Sequence, residues 1–510
     1  MVEEERKYEV STGFAVPDLS GCLPDGGRLV EVPAVKLTAT YLDTADLRLA
    51  RAGVSLRHRV GDAEPWTVKL PADVPGVRHE ISRPGKRGKP PAELVWLVTA
   101  YSRGAPLAPA ATVRTRRRVV ELRDGDDTLL VELADDAVSV LDGETVRSSF
   151  REVEVERKAG DRELLDRVEE QLVAAGATAG GFTPKHVRAL GAAAAGPPDL
   201  APAGELPAQP SAGDVVTRAI RDGIARILAH DALVRLHAPV GDDDTAVHQM
   251  RVGCRRLRSD LRTFRVLVRK GWARPLRDEL KWVAGVLGGA RDAEVLRERL
   301  RRTAAADPLA PLPESAVGRI DSALADRHAA ALDEVDAALR SDRYVALVEI
   351  LVRAAREPQL TGVADGPADE VLPRLVATPW RRLAYGGNGV DGAADLTLDA
   401  PDERWHAVRI NGKKARYAVD AVASVIGDEG AARLAKALSR VQNLLGEHQD
   451  GAVAAQTWQE IAAAHPDDHE LAVTAGRLVE RERVAIRAAR AGFPAAWQRS
   501  TTKRRTKWLP

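Results

Sequence analysis

The sequence predicts an α+β, multidomain chain: an N-terminal antiparallel β barrel or sandwich with flanking helices, followed by an all-α part. Three observations carry this. Short runs of period-two alternation fill the N-terminal part, a stretch rich in Ala, Pro and Gly follows, and the remainder has helical periodicity with an internal repeat. At 510 residues the chain is also too long for one folding unit, a typical domain being about 150 residues.

Taken in order, the β runs are KYEVS, VKLTATYLD, VSLRHRV, WTVKL and RHEISR, then a long stretch from RRRVVELR to REVEVER in which DGDD and DGET separate strands. Alternation around such turn sequences reads as antiparallel hairpins. Helices are expected near Ala92–Tyr101 and Asp161–Ala175. Within GAAAAGPPDLAPAGELPAQPSAG, periodicity and almost all charge disappear, which marks a linker at residues 196–212 between domains at 1–195 and 213–500. Beyond it, helices are expected at Val215–Leu236, Asp244–Arg269, Leu276–Arg302 and Ala316–Leu339, and a basic tail without fixed structure occupies 501–510.

The 75 basic and 74 acidic residues leave a net charge of +1, which excludes a uniformly basic nucleic-acid coat and an acidic disordered tail. Residues 1–200 hold 28 basic and 32 acidic side chains and the rest 47 and 42, so any electrostatic function must come from local clustering. No run approaches the roughly 18 apolar residues of a membrane span, and the acidic start MVEEERKYEV lacks the apolar core of a secretory signal. Cys22 and Cys254 are too few and too distant for a disulfide framework or a zinc site. A cytoplasmic protein, with neither a membrane nor a specific nucleic acid as partner, is the expectation.

Charge in the β part falls in rows. Side chains at i, i+2 and i+4 of a strand share a face, so Glu3, Glu5 and Lys7 point one way, as do Glu152, Glu154 and Glu156, and Arg57 with Arg59. The opposite faces carry Val153 and Val155, or Val54, Leu56 and Val60. A polar row backed by an apolar row fits a barrel with a charged lumen and helices packed outside. Carboxylates and arginines in one lumen suit a polyanion bridged by Mg²⁺ or Mn²⁺, which binds carboxylates together with phosphate oxygens. The chemistry indicated is metal-dependent phosphoryl transfer.

Glu3-x-Glu5-x-Lys7, YLDTADLRLARAGVSLRHR, WTVKLP, HEISR, VRTRRRVVEL, VELADDAVS, REVEVERK and FTPKHVRAL, in this order, resemble the CYTH family of triphosphate tunnel enzymes over residues 1–195. The resemblance implies an eight-stranded antiparallel tunnel that hydrolyses triphosphates with Mg²⁺ or Mn²⁺. It implies Glu3, Glu5, Glu154 and Glu156 as metal ligands, with Glu132 and Lys7 as catalytic candidates, Glu132 either as a ligand or for positioning water. Lys7, Arg57, Arg59, Lys69, Arg114, Arg116 and Lys185 are implied as phosphate ligands. Two registers stay open: Thr115 and Arg117 in place of Arg114 and Arg116, and Glu152 in place of Glu156.

The helical part repeats itself. HQMRVGCRRLR from His248 matches HAVRINGKKAR from His406, and LGGARDAEVL from Leu287 matches LGEHQDGAVA from Leu445, both at an offset of 158 residues. On a helix, His248, Arg251, Arg255 and Arg258 share a face, as do His406, Arg409, Lys413 and Arg416, and Arg256 and Lys414 would widen the basic surface. Crowding these charges is unfavourable without a counter-anion. The paired motifs, with Asp292 and Asp450, resemble the CHAD domain. That implies two four-helix bundles binding polyphosphate along a basic channel. His248 and His406 either contact phosphate or bond to a neighbouring acid, Asp292 or Asp450.

No phosphate loop, nucleophile elbow or His-Glu-x-x-His is present. The expected function is metal-dependent hydrolysis of inorganic triphosphate or a related triphosphate, coupled to polyphosphate binding and association with polyphosphate granules. The rival readings are a nucleotide triphosphatase or adenylate cyclase, and a non-catalytic polyphosphate-binding protein.

Overall fold

Alternation produces eight strands: β1 (Val2–Val10), β2 (Arg28–Asp43), β3 (Ser55–Val60), β4 (Trp66–Pro71), β5 (Val77–Arg83), β6 (Ala108–Arg123), β7 (Leu129–Asp142) and β8 (Thr145–Arg157). In the computed structural model, which describes residues 2–72, 77–179, 183–240, 244–387, 389–427 and 429–510 (the side chains of Val2, Glu3 and Ala179 excepted), they follow the order β5-β4-β3-β2-β6-β7-β8-β1. All neighbours are antiparallel, and β1 pairs back onto β5 with Glu3 opposite Arg78, closing the barrel and removing both sheet edges. Hairpin chemistry is local. The Asp124 carboxylate accepts from the Asp126 and Thr128 N–H groups at 3.0 and 2.8 Å in the β6–β7 turn. Between β7 and β8, Gly143 takes φ 60°, which glycine adopts without strain.

Five helices accompany the barrel: α1 (Arg48–Arg51), α2 (Ala92–Leu97), α3 (Thr99–Ser102), α4 (Arg162–Ala174) and α5 (Lys185–Leu190). The Asp161 carboxylate caps α4 by accepting from Leu164 N at 2.7 Å. Its buried Leu164, Leu165, Val168 and Leu172 form one core with Val131 and Leu133 of β7 and Val153 and Val155 of β8. Each such burial is worth about 1.5–3 kcal/mol. A one-residue slip of β8 would turn the valines inward and the glutamates into this core, so the packing fixes the register. The short α5 lies in one end of the barrel: Ala189 packs with Ala39, Tyr41, Val113, Val138 and Val140.

Residues Met1–Asp199 form one compact unit and Leu200–Pro510 a second. No helix or strand occurs between α5 and Ser211, which opens the helical unit with a reciprocal capping box to Asp214. The helices are α6 (Ala212–Ala229), α7 (Asp231–Arg235), α8 (Ala246–Thr263), α9 (Lys270–Ala304), α10 (Glu314–Arg340), α11 (Asp342–Arg356), α12 (Ala368–Tyr385), α13 (Asp402–Asp420), α14 (Glu429–Ala463), α15 (His469–Ser500) and α16 (Lys503–Thr506). The set α6, α8, α9 and α10 is repeated as α12, α13, α14 and α15, each start lying within three residues of the 158-residue offset. These are the two duplicated four-helix bundles. Within the unit α8 packs on α13, and Leu300, Ile320 and Leu324 share a core with Trp458, Ile461, Leu471 and Leu478. Gly253 permits the close approach of α6 and α8, because a Cβ there would meet Ile227 Cγ1 at 2.9 Å. The basic tail, expected to lack structure, instead forms α16 against α14, with Trp508 Nε1 donating to the Arg505 carbonyl at 2.8 Å. No helix of the described residues is long and apolar enough to cross a membrane.

Candidate functional site

A cavity of about 310 Å³ occupies the barrel lumen. Four of its five carboxylates lie on β1, β8 and β7, and four of its eight cations lie on β3, β4 and β5. On β1, β8 and β7, Glu5 stands opposite Glu156, and Glu156 opposite Glu132, so three carboxylates form one row across three adjacent strands. Glu154, beside Lys7 of β1, is in the next row. On β3, β4 and β5 the charged lining residues are Arg57, Arg59, Lys69, Arg78 and Glu80. Eight basic and five acidic side chains line the cavity, which therefore favours an anion.

Lys7 pairs with Glu154 and lies 3.5 Å from Glu5. Burial opposes its charge, but Glu154 and Glu5 outweigh that and raise its pKa. Lys185 of α5 reaches three acids, Asp136, Glu152 and Glu154, at 2.7, 2.9 and 2.8 Å. Arg117 donates to Asp136 at 2.9 and 2.7 Å and to Glu154 at 2.8 Å. Burial would raise the Glu154 pKa, yet Lys185, Lys7 and Arg117 together hold it well below the usual carboxylate range. Across the lumen, Lys69 pairs with Glu80 at 2.8 Å and Arg59 with Asp62 at 2.5 Å. Arg57 Nε is buried with no hydrogen-bond partner among the described residues. His186 stacks on Tyr41 at 5.3 Å, and burial with Arg78, Lys7 and Arg57 nearby pushes its pKa down to about 3, so it is neutral at physiological pH.

Of the residues singled out in the sequence, Glu5, Lys7, Arg57, Arg59, Lys69, Glu132, Glu154, Glu156 and Lys185 line this cavity. The Glu3 side chain lies outside the described residues, although its backbone continues β1 opposite Arg78. Arg114 and Arg116 are corrected: both are exposed on the outer face of β6. Val113, Thr115 and Arg117 take the inner face because Arg117 stands opposite the fully buried Asp136 and is bound to it. Arg78, Glu80, Tyr41 and Lys158 were missed. Lys158 follows Glu156 by two residues and Arg78 precedes Glu80 by two, so period two offered the signal.

Carboxylate oxygens are suitable ligands for Mg²⁺ or Mn²⁺. Among the described residues, only Asp136, Glu152 and Glu154 bring three such atoms within 4.8 Å of one another. In the row of Glu5 and Glu156, Glu5 leans towards Lys7 and Arg78, and Glu156 pairs with Lys158.

A second cavity, of about 450 Å³, lies between α8 and α13 and the adjoining parts of α9 and α14. His248, Arg251, Arg255, His406, Arg409 and Lys413 line it, with Arg291, Asp292, Gln449 and Asp450. The acids bind arginines: Arg251 reaches Asp292 at 3.0 Å and Arg409 reaches Asp450 at 3.3 Å. The expected acid partner of His406 is therefore replaced by Gln449, whose Oε1 lies 2.5 Å from His406 Nδ1. Burial, with Arg255 and Arg409 alongside, pushes Lys413 down to about 7. Arg256, Arg258, Lys414 and Arg416 do not line this cavity. Arg256 turns towards a separate cavity with Asp420, Arg416 pairs with Asp420 at 3.4 Å, and Lys414 donates to Asn411 at 3.3 Å. Adjacent helical positions diverge by about 100°, which separates Arg256 from Arg255 and Lys414 from Lys413. Arg258 lies beside Arg277 and Arg262, and burial with this repulsion lowers its pKa.

These features define a β tunnel with a carboxylate and arginine lumen, joined to a duplicated helical unit with a basic centre. Residues 1–189 match the CYTH domain and residues 218–459 the CHAD domain. The uncharacterized protein Rv2226 of Mycobacterium tuberculosis, strain H37Rv, is 32% identical over 508 residues, covering 94% of this chain and 93% of its own. Among solved structures, PptA from Streptomyces chartreusis is 27% identical with a TM-score of 0.44, covering 56% of this chain and 99% of that one. The CHAD domain from the plant Ricinus communis is 24% identical with a TM-score of 0.42, covering 57% and 95%. The chain belongs to the family in which a CYTH domain is followed by a CHAD domain.

Proposed function

We propose that the barrel hydrolyses inorganic triphosphate, or a closely related triphosphate, with Mg²⁺ or Mn²⁺, and that the helical unit binds long-chain polyphosphate. On this reading residues 1–195 and 213–500 are the two working modules, in the cytoplasm and at polyphosphate granules. One observation carries the catalytic half: a single lumen has a carboxylate wall on β1, β8 and β7 and a mainly cationic wall on β3, β4 and β5.

Arg57, Arg59, Lys69 and Arg78 hold the phosphate oxygens, and Arg57, with its unpartnered Nε, has a donor to offer. Glu5, Glu132 and Glu156, with Glu3 as a further ligand, hold the metal; Glu154 stands beside them with both oxygens engaged by cations. The ion supplies neutralising charge and a bound water of lowered pKa. Glu132 orients the attacking water, and Lys7 offsets charge between Glu5 and Glu154. The aromatic rings of the described lining, Tyr41 and His186, are stacked on each other towards the α5 end.

Phosphate release from triphosphate and from ATP, with each metal, tests the reading. Triphosphate should be the better substrate, and Glu5→Gln should lower kcat on the order of a hundredfold or more with an unchanged melting temperature. Full turnover by Glu5→Gln, or pyrophosphate as the product from ATP, would overturn it.

A further inference from the structure

Asp136, Glu152 and Glu154 bring carboxylate oxygens within 4.8 Å of one another, as a divalent ion would require, but a cation already stands among them. Lys185 Nζ lies 2.7 Å from Asp136 Oδ2, 2.9 Å from Glu152 Oε1 and 2.8 Å from Glu154 Oε1. Asp136 and Glu152 are 0% and 2% exposed, so their charges have no solvent to lean on. Arg117 takes further oxygens of Asp136 and Glu154, and Lys7 pairs with Glu154. The three carboxylates thus face Lys185, Arg117 and Lys7, with Arg188 3.6 Å from Glu152, and a divalent ion added to this set would bring positive charge that no further carboxylate offsets.

We infer that Lys185 is a tethered cation standing where a metal would otherwise sit in the Asp136–Glu152–Glu154 cage, leaving the row of Glu5, Glu132 and Glu156 as the metal-binding part of the lumen. This rests on the metal-dependent reading of the barrel. Lys185 is a positioning residue in this role: its ammonium is delivered by α5, so the same ion pairs that fill the cage also dock that helix inside the barrel. A lysine is suited to this. Its compact ammonium lies within ion-pair distance of all three carboxylates, at about 2.7–2.9 Å rather than the roughly 2.0–2.1 Å that Mg²⁺ demands.

Mn²⁺ uptake by the full chain, counted by electron paramagnetic resonance of the free ion, tests the inference without reference to turnover. Lys185→Met should take up one more Mn²⁺ than wild type, and Glu152→Gln in the Lys185→Met background should abolish that gain. In wild type, Asp136→Asn should leave the uptake unchanged, and this arm does not depend on Lys185→Met folding. Loss of a bound Mn²⁺ in Asp136→Asn, or no gain in a folded Lys185→Met, would overturn the inference while leaving metal dependence intact. No uptake by wild type, with a gain in Lys185→Met, would instead sink the metal-dependent reading and keep Lys185 in its place.

Discussion

Arg409 and Asp450 pair across 3.3 Å between α13 and α14, and the contact is a copy: Arg251 and Asp292 make it at 3.0 Å between α8 and α9, 158 residues earlier. Duplication has therefore preserved a contact between helices as well as a motif within one. Each acid occupies an arginine that an anion would want. Asp450→Asn should tighten long-chain polyphosphate binding by about two- to fivefold, the worth of a partly exposed ion pair. Isothermal titration calorimetry checks this, and weaker binding would mean that Asp450 orients Arg409 for the anion instead of competing with it.

If the helical unit binds polyphosphate as proposed, Lys413 should make that binding depend on pH. Burial with Arg255 and Arg409 has pushed its pKa down to about 7, and a bound anion raises it again. Binding should take up a proton, with affinity full below pH 7 and falling by up to about tenfold per pH unit above it. Lys413→Met should flatten the profile between about pH 6 and 8.5. The same depression, relative to an unfolded lysine near 10.4, makes the protonated site a cost to folding at acid pH, so the contribution of this group to stability rises as pH passes 7.

Salt provides a separate reading of the basic cavity. Arg251→Ala and Arg409→Ala should each weaken polyphosphate binding and reduce the slope of log affinity against log salt by about one. Titrations at several ionic strengths measure both, and an unchanged slope in the double variant would remove these arginines from the anion contact.

In the barrel, Arg57 and Arg116 test the two faces of the wall. Arg57 is inside with an unpartnered Nε, and Arg116 is exposed outside. Arg57→Ala should lower kcat/KM for triphosphate by about tenfold to a thousandfold, the scale of one charge-assisted contact in the transition state. Arg116→Ala should leave steady-state kinetics unaltered. Equal losses in both variants would contradict the register of β6.

Much of this arrangement was legible in the sequence because period two and period 3.6 are coarse signals. REVEVER states both faces of β8 at once, and the 158-residue offset predicts which helices correspond. VRTRRRV was not legible in the same way. It offers arginines to either face, and the choice is made by Asp136 on the neighbouring strand, through Arg117. The partner of His406 was hidden for a similar reason: Gln449 and Asp450 are adjacent on α14, and only the rotation of that helix decides which one meets the imidazole. Arg78 shared a face with Glu80 in RHEISR, but nothing along that strand alone said the face was internal.

α5 and its apolar companions lodge in one end of the barrel. If the barrel hydrolyses triphosphate as proposed, a helix seated there narrows that end to an incoming phosphate chain.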